Sequence, residues 1–390
     1  MGGKNRSLTR REFLQSGAMA AAAAGAVPMV QPQKGKKEPV VDAKNIRNFH
    51  KDMRYRRMGN TDVHLSVLSL GGSGLERTIA FRAIEQGVNL VHIGYDYRNG
   101  KPMADLAEVL KTKRDKVYVA LKDGFQKEAP DDIDPILKLL GTDHVDFIMF
   151  NRHKVEAVND PAVRKQYETW KAQGKVRYCG LTTHDNVKDC IAAGIENGWY
   201  TIIHPALPQS GFELAAEELK RASEKGIGIL AMKTVRGIND PGLQMAQCKK
   251  ILSNPAVTSV NKGISTFEML NGYLKTVQET LTAEEDFSLY RYAQQNRANT
   301  CMMCGSCERV CPRGIEISTL LRSKTYYRDQ LGDRASAAAA YRELTREQRH
   351  DGNCLACGKC ESVCPNGIRI VRKLNAATEW FRQLSHRDLS

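Results

Sequence analysis

Eight of the eleven cysteines in this 390-residue chain fall into two arrays of identical spacing. CMMCGSCERVCP carries Cys301, Cys304, Cys307 and Cys311 ahead of Pro312, and CLACGKCESVCP carries Cys354, Cys357, Cys360 and Cys364 ahead of Pro365. No other feature restricts the fold as strongly, because each array must wrap its backbone around a common centre. Disulfide frameworks are irregular and have no reason to repeat one spacing. A zinc site takes two separated pairs of ligands, which leaves both CxxxCP tails without a purpose. The CxxCxxCxxxCP run suits a [4Fe-4S] cube, and in proteins with two cubes the fourth cysteine of each run ligates the neighbouring one. The expected ligand sets are therefore crossed. Cys301, Cys304, Cys307 and Cys364 form one, and Cys354, Cys357, Cys360 and Cys311 form the other.

Between Cys311 and Cys354 lie 42 residues rich in helix formers, among them LLRSKTYYRDQ and RASAAAAYREL. This interval is too long for a compact ferredoxin. It resembles the all-α two-cluster module of the iron-sulfur subunits of succinate dehydrogenase and fumarate reductase. Cys179, Cys190 and Cys248 are scattered and read as small buried hydrophobes.

At the other end, SLTRREFLQSGAMAAAAAGA pairs Arg10 with Arg11, then Phe13 and Leu14, then an alanine-rich stretch. It resembles a twin-arginine export signal. The stretch from Gly17 to Val27 is too short for a bilayer that demands about 20 apolar residues, and Ala24, Gly25 and Ala26 offer a small-residue cleavage site. Residues 1–26 are expected to be a signal peptide that delivers the protein to the periplasm or otherwise outside the cytosol. Such signals are associated with export of proteins already folded around a cofactor, which would let the thiols cross the membrane already ligated. No later segment holds 18 consecutive apolar residues, so no transmembrane segment is expected in the mature chain.

Residues 27–53 are polar and proline-bearing and read as a linker. From there, eight short β-type runs alternate with amphipathic stretches: HLSVLSL, NLVHIG, KVYVALK, VDFIMFN, VRYCGLT, TIIHPAL, GIGILAMK and VTSVNKGIS. Eight such units over about 210 residues predict an α/β fold, a (β/α)8 TIM barrel over residues 54–280, with its site at the C-terminal ends of the strands. An all-α two-cluster ferredoxin-type domain over 281–390 follows it. Composition is ordinary for a globular protein, 42% hydrophobic and 26% charged.

The stretches MRYRRMGNTDVHLSVLSLGG, GVNLVHIGYDYRNGK, DHVDFIMFN, GKVRYCGLTTHDN and EKGIGILAMK resemble successive landmarks of the aldo-keto reductases. That resemblance implies carbonyl reduction with a nicotinamide cofactor, NADH or NADPH, and a tetrad of Asp, Tyr, Lys and His. Carried over position by position, it puts His92 at the aspartate, Tyr97 at the tyrosine, Lys122 at the lysine and Asn151 at the histidine. Tyrosine is the expected proton donor, with its pKa lowered by Lys122. Asn151 can donate a hydrogen bond but cannot relay a proton. His92 is expected to titrate near neutrality and share the acid-base work. Thr182 and Thr183 stand where the family often has the Ser-Asn pair that holds the nicotinamide amide. Lys233 is a candidate phosphate contact, as are Gly263 and Ser265 in GISTFE, although Thr266 replaces the usual basic residue there. His92, His153, His184 and His204 all fall at or just beyond strand ends, on the active face.

The formal charge of +14 favours an acidic redox partner or an anionic surface. No DNA-reading motif is present, and no nucleic-acid role is expected. Two readings follow. One is an exported oxidoreductase that couples a small-molecule substrate, by way of two clusters, to a one-electron partner. The other is an electron-transfer or binding protein whose barrel is a catalytically inactive scaffold.

Overall fold

The computed structural model describes residues 42–95, 97–123, 132–325, 334–342 and 344–383. The twin-arginine segment and the first part of the expected linker lie outside them.

Eight parallel strands close into a barrel: β3 (Leu68–Gly71), β4 (Leu90–Gly94), β5 (Tyr118–Lys122), β6 (Val145–Asn151), β7 (Val176–Thr183), β8 (Ile202–Pro205), β9 (Gly228–Ala231) and β10 (Val257–Lys262), with β10 pairing back onto β3. All eight β-type runs contribute one barrel strand. HLSVLSL, however, is not a single strand. It breaks at Val67, so that β2 (His64–Ser66) turns back antiparallel on β1 (Tyr55–Arg57) while Leu68 onward joins the barrel. The hairpin buries Met58, Val63 and Leu65 completely, in one cluster with Leu90, Tyr118, Phe147, Met149, Ile202 and Leu230. It is the plug of the barrel's N-terminal end.

Strand alternation explains what lies above that plug. Side chains two apart on a strand share a face, so the inward positions continue from Leu90 to His92, from Ala120 to Lys122, from Met149 to Asn151 and from Ile202 to His204. The interior changes from apolar to polar within one step toward the strand ends. Gly180, the inward position of β7 level with Met149, has no room for a side chain because a Cβ would collide with the Met149 sulfur.

The stretch expected as linker is docked from Asp42 onward. Arg47 donates to Val117 O at 2.9 Å and pairs with the buried Asp146 at 3.4 Å, and Asn48 donates to Ile84 O at 2.6 Å. Its polar composition reflects side chains that bond to the barrel's base, which composition alone cannot distinguish from a solvated tether.

The helices Pro161–Ala172 and Pro241–Ser253 each start with proline behind a capping aspartate, Asp160 or Asp240. Thr282 and Glu285 form a reciprocal cap at the start of Ala283–Asn296, the helix that leads from the barrel into the cysteine region. In that region Ile315, Ile317, Leu320, Ile368, Ile370, Leu374 and Phe381 form a second core, against which six of the eight array cysteines pack. Cys179, Cys190 and Cys248 are fully buried. Among the described residues no helix is long and apolar enough to cross a membrane.

Candidate active site and cluster-binding loops

Four of the inward polar residues of the barrel come together at its C-terminal end. The rings of His92 and His204 meet edge to face, their centroids 4.4 Å apart. Asn151 is level with Thr182, and Thr182 with His204, across β6, β7 and β8. His92 Nε2, both ring nitrogens of His204, Asn151 Oδ1 and Thr182 Oγ1 are buried without a hydrogen-bond partner among the described residues. Buried polar groups are normally paired, so this ring of atoms is suited to a ligand rich in hydroxyl or carbonyl oxygen.

Lys122 is fully buried at the end of β5, and its ammonium lies over the Tyr97 ring, 4.6 Å from the centroid. Tyr97 itself opens the short turn Tyr97–Gly100 just beyond β4. Thus the expected Tyr97, Lys122, His92 and Asn151 all reach one end of one barrel. Beside them, Asp123 accepts from Asn151 N at 2.5 Å and pairs with Arg152 at 2.6 Å. This fixes the backbone from which Asn151 projects.

The expectation that His92 titrates near neutrality is overturned. Burial, reinforced by Lys122, pushes it down to about 3. Burial likewise pushes His153 to about 3 and holds His184 and His204 well below the usual histidine range. All four imidazoles are neutral at physiological pH, so they can donate or accept hydrogen bonds but carry no charge. His184 N donates to His153 Nδ1 at 3.1 Å, which requires a neutral acceptor nitrogen there.

The nicotinamide residues fit less well. Thr183 Oγ1 donates to Asp185 O at 3.0 Å and is committed to its own loop. Thr266 caps the helix Phe267–Thr276 by accepting from Met269 N at 3.1 Å. Lys262 faces the surrounding helices, over the Tyr273 ring, 4.9 Å from the centroid, and Lys233 is desolvated until its ammonium is held well below the usual lysine range. Gly263 and Ser265 are exposed, and the neighbouring Lys262 is committed to Tyr273, so among the described residues Thr183, Thr266 and Lys262 are engaged elsewhere.

The two cysteine arrays fold alike. Met303 and Gly305 in the first, and Ala356 and Gly358 in the second, take left-handed backbone at matching positions, with φ of 62° and 68° against 49° and 72°. The turn bends amides onto sulfur: Met303 N lies 3.5 Å from Cys301 Sγ and Ala356 N 3.4 Å from Cys354 Sγ. Glu308, after the third cysteine of the first array, accepts from Ser318 N at 2.6 Å, and Glu361 accepts from Val371 N at 2.8 Å, so each array is tied to the helix that follows it. A cleft is lined by Cys311 together with Cys354, Cys357 and Cys360, and by Ile315, Val371 and Leu374. Lys373 lies within electrostatic reach of both Cys301 and Cys364. Each location combines thiols, sulfur-directed amides and apolar walls, which is what an iron-sulfur cube needs. Neither the histidines nor the cysteines close around a single ion among the described residues. A cube holds its thiolates further apart than one ion does.

The first array rests on the barrel mouth. Met303 O accepts from Val187 N at 3.3 Å, Met303 Sδ from Arg236 at 3.4 Å, and Arg309 pairs with Asp189 at 3.2 Å while donating to Cys304 O. Arg322, from the helix after the first array, reaches Asp185 at 3.5 Å, both side chains buried. Sequence reasoning missed Arg236, Arg322 and Met303. The only signal was a basic residue three positions beyond Lys233 and another inside an otherwise apolar helical run.

Comparison with known proteins agrees with this division. The family model for the aldo/keto reductases matches residues 76–285, and the chain belongs to that family. Two models of a 4Fe-4S dicluster domain match residues 293–366 and 267–316. Among solved structures, the holo form of an aldo-keto reductase from Bacillus halodurans is 20% identical with a TM-score of 0.52, covering 62% of this chain and 96% of its own. A Pseudomonas aeruginosa protein described as an aldo-keto reductase is 17% identical with a TM-score of 0.50, covering 57% and 95%. At these identities the likeness concerns the fold. No curated protein matches the chain. The protein is an oxidoreductase of aldo/keto reductase type fused to 4Fe-4S ferredoxin sequence.

Proposed function

We propose that this protein is an exported oxidoreductase in which a small oxygen-rich substrate bound in the barrel exchanges electrons with two [4Fe-4S] clusters, and through them with a one-electron partner. The observation that carries this reading is the seating of the first cysteine array on the barrel mouth, through Met303, Val187 and Arg236. An inert scaffold has no need to present a cluster loop to its own polar pocket.

The crossed ligand sets, Cys301, Cys304, Cys307 and Cys364 in one and Cys354, Cys357, Cys360 and Cys311 in the other, are part of the proposal. When bound, each cluster would supply one-electron transfer, so two together would match the electron pair of a two-electron substrate. The chain's own residues do the rest. Tyr97 exchanges the proton at the substrate oxygen through its hydroxyl, with the Lys122 ammonium lying against its ring. Asn151 and the neutral His92 and His204 orient the oxygens by hydrogen bonds, and the Thr182 hydroxyl adds a further contact. Met303 and the Asp185–Val187 loop meet at the mouth of the barrel through the Val187 amide.

Nicotinamide has no part in this scheme, because Thr183 and Thr266 are engaged within their own loops and an exported enzyme meets no nicotinamide pool. The twin-arginine segment at Arg10 and Arg11 supports cluster assembly before export to the periplasm.

The test is an anaerobic titration of the cluster-loaded protein, watching the visible iron-sulfur absorbance. NADH and NADPH are expected to leave it unchanged, and a sugar or polyol from a screened panel to bleach it. Bleaching by either nucleotide would restore a conventional reductase. Clusters that respond to dithionite and to nothing else would favour the scaffold reading.

A further inference from the structure

The two cysteine arrays are alike in backbone and unlike in surroundings. The first is covered by the barrel, and Met303 at its centre is 1% exposed. In the second, Cys357 is exposed, Leu355 beside it is 58% exposed and Val363 is 38% exposed. No hydrogen bond or ion pair joins residues 354–360 to the barrel among the described residues. Arg313 and Lys359 are exposed and line the same cleft as Cys311, Leu355 and Cys357. The one acid within this loop and its short helix, Glu361, is turned inward to cap the following helix. An apolar centre with a redox group beneath it and a cationic rim is the form of a transient electron-transfer contact, where charge steers the encounter and little area is buried.

We infer that the face around Leu355, Cys357, Arg313 and Lys359 is the electron port of the protein, and that it docks an acidic one-electron carrier protein whose redox centre is ringed by carboxylates. The inference rests on the relay reading above and gives it a direction in space. The array on the barrel faces the substrate and the exposed one faces the carrier. In each encounter one electron passes between a cluster and the carrier, with no atom or proton transferred.

The experiment uses the full cluster-loaded protein, reduced with dithionite and freed of excess, mixed in a stopped-flow instrument with two one-electron acceptors. One is an acidic blue-copper protein and the other a basic c-type cytochrome. The cluster gives up one electron as copper(II) becomes copper(I), or haem iron(III) becomes iron(II). At low salt the acidic acceptor is expected to react at least about tenfold faster, with the preference shrinking as salt screens it. The double variant Arg313→Glu, Lys359→Glu should bring the two rates to parity or invert them, with iron content unchanged. Lys138→Glu with Lys165→Glu, on exposed barrel helices, should leave the preference intact. Equal rates in the native protein, or a preference lost only in the barrel variant, would overturn the port. If the charge-reversed protein does not hold its clusters, the salt dependence of the native preference decides alone. Clusters that neither acceptor can oxidise would instead overturn the relay itself.

Discussion

The amide of Val187, at the head of the helix that follows β7, donates to the carbonyl of Met303 at 3.3 Å, and this bond ties the first cysteine array to the end of the barrel where Thr182 and His204 lie. Met303 can offer that carbonyl because its left-handed backbone, at φ 62°, turns the peptide outward while its amide points back to Cys301 sulfur. The same residue thus serves the cluster loop and the barrel.

Arg236 places a buried guanidinium against the Met303 sulfur at 3.4 Å, close enough to act on Cys301. A positive charge favours the more negative, reduced form of a neighbouring cluster. Arg236→Met is therefore expected to lower one of two midpoint potentials and leave the other unchanged. A redox titration followed by electron paramagnetic resonance checks this. Two unmoved midpoints would remove Arg236 from the cluster's surroundings.

Tyr97→Phe deletes the hydroxyl and keeps the ring under Lys122. Proton transfer by a positioned group typically contributes about 10²–10⁴-fold, so substrate-driven bleaching should slow by that range while dithionite bleaching stays as it was. Lys122→Met should slow it comparably. If neither variant changes the rate, the barrel is not catalytic.

Four buried histidines make stability depend on pH with a definite sign. His92 and His153 are held near 3, and His184 and His204 are held well down, against an ordinary value near 6.5. Below 6.5 the unfolded chain takes up protons that the folded chain refuses. The stability these groups supply is full above 6.5 and falls as pH drops from there toward 3. Each such proton contributes about 1.4 kcal/mol per pH unit at full slope. Urea unfolding between pH 7 and 4.5 should weaken steeply, and His204→Gln should reduce that dependence by about one proton. A flat profile would mean that the imidazoles are protonated in the native state.

Much of this was legible beforehand, for physical reasons that differ by region. The barrel could be counted because parallel strands buried on both faces read as continuous apolar runs such as VDFIMFN. The cysteine arrays could be read because cluster geometry demands one spacing. The break at Val67 was hidden, since HLSVLSL is equally apolar whether it makes one strand or two. The neutral state of His92 was hidden as well. A histidine's pKa depends on burial, and burial follows from strand alternation only once the barrel is closed. Arg236 and Arg322 meet the site through contacts between distant segments, and no local pattern announces those.

Gly180 tests how tightly the layer beneath the site is packed. A Cβ there meets the Met149 sulfur and the Ile202 side chain. Overpacking of this kind costs about 1–3 kcal/mol. Gly180→Ala should lower the unfolding midpoint in urea accordingly, and adding Met149→Ala should recover part of the loss. An unchanged midpoint would show that Met149 moves aside freely.

Crossed ligation makes the two proline-flanked cysteines distinguishable. Cys364 is in the second array by sequence, yet Lys373 senses it together with Cys301, while Cys311 of the first array lines a cleft with Cys354, Cys357 and Cys360. Native protein prepared anaerobically should contain about eight irons and eight labile sulfides per chain. Cys364→Ser should perturb the cluster against the barrel and abolish the midpoint that responds to Arg236→Met. Cys311→Ser should spare that midpoint and disturb the other. If the assignments are reversed, so that Cys311→Ser removes the Arg236-sensitive signal, each array holds its own cluster and the crossed sets are wrong. The iron count would be the same in either case, so the pairing of variants is what separates them.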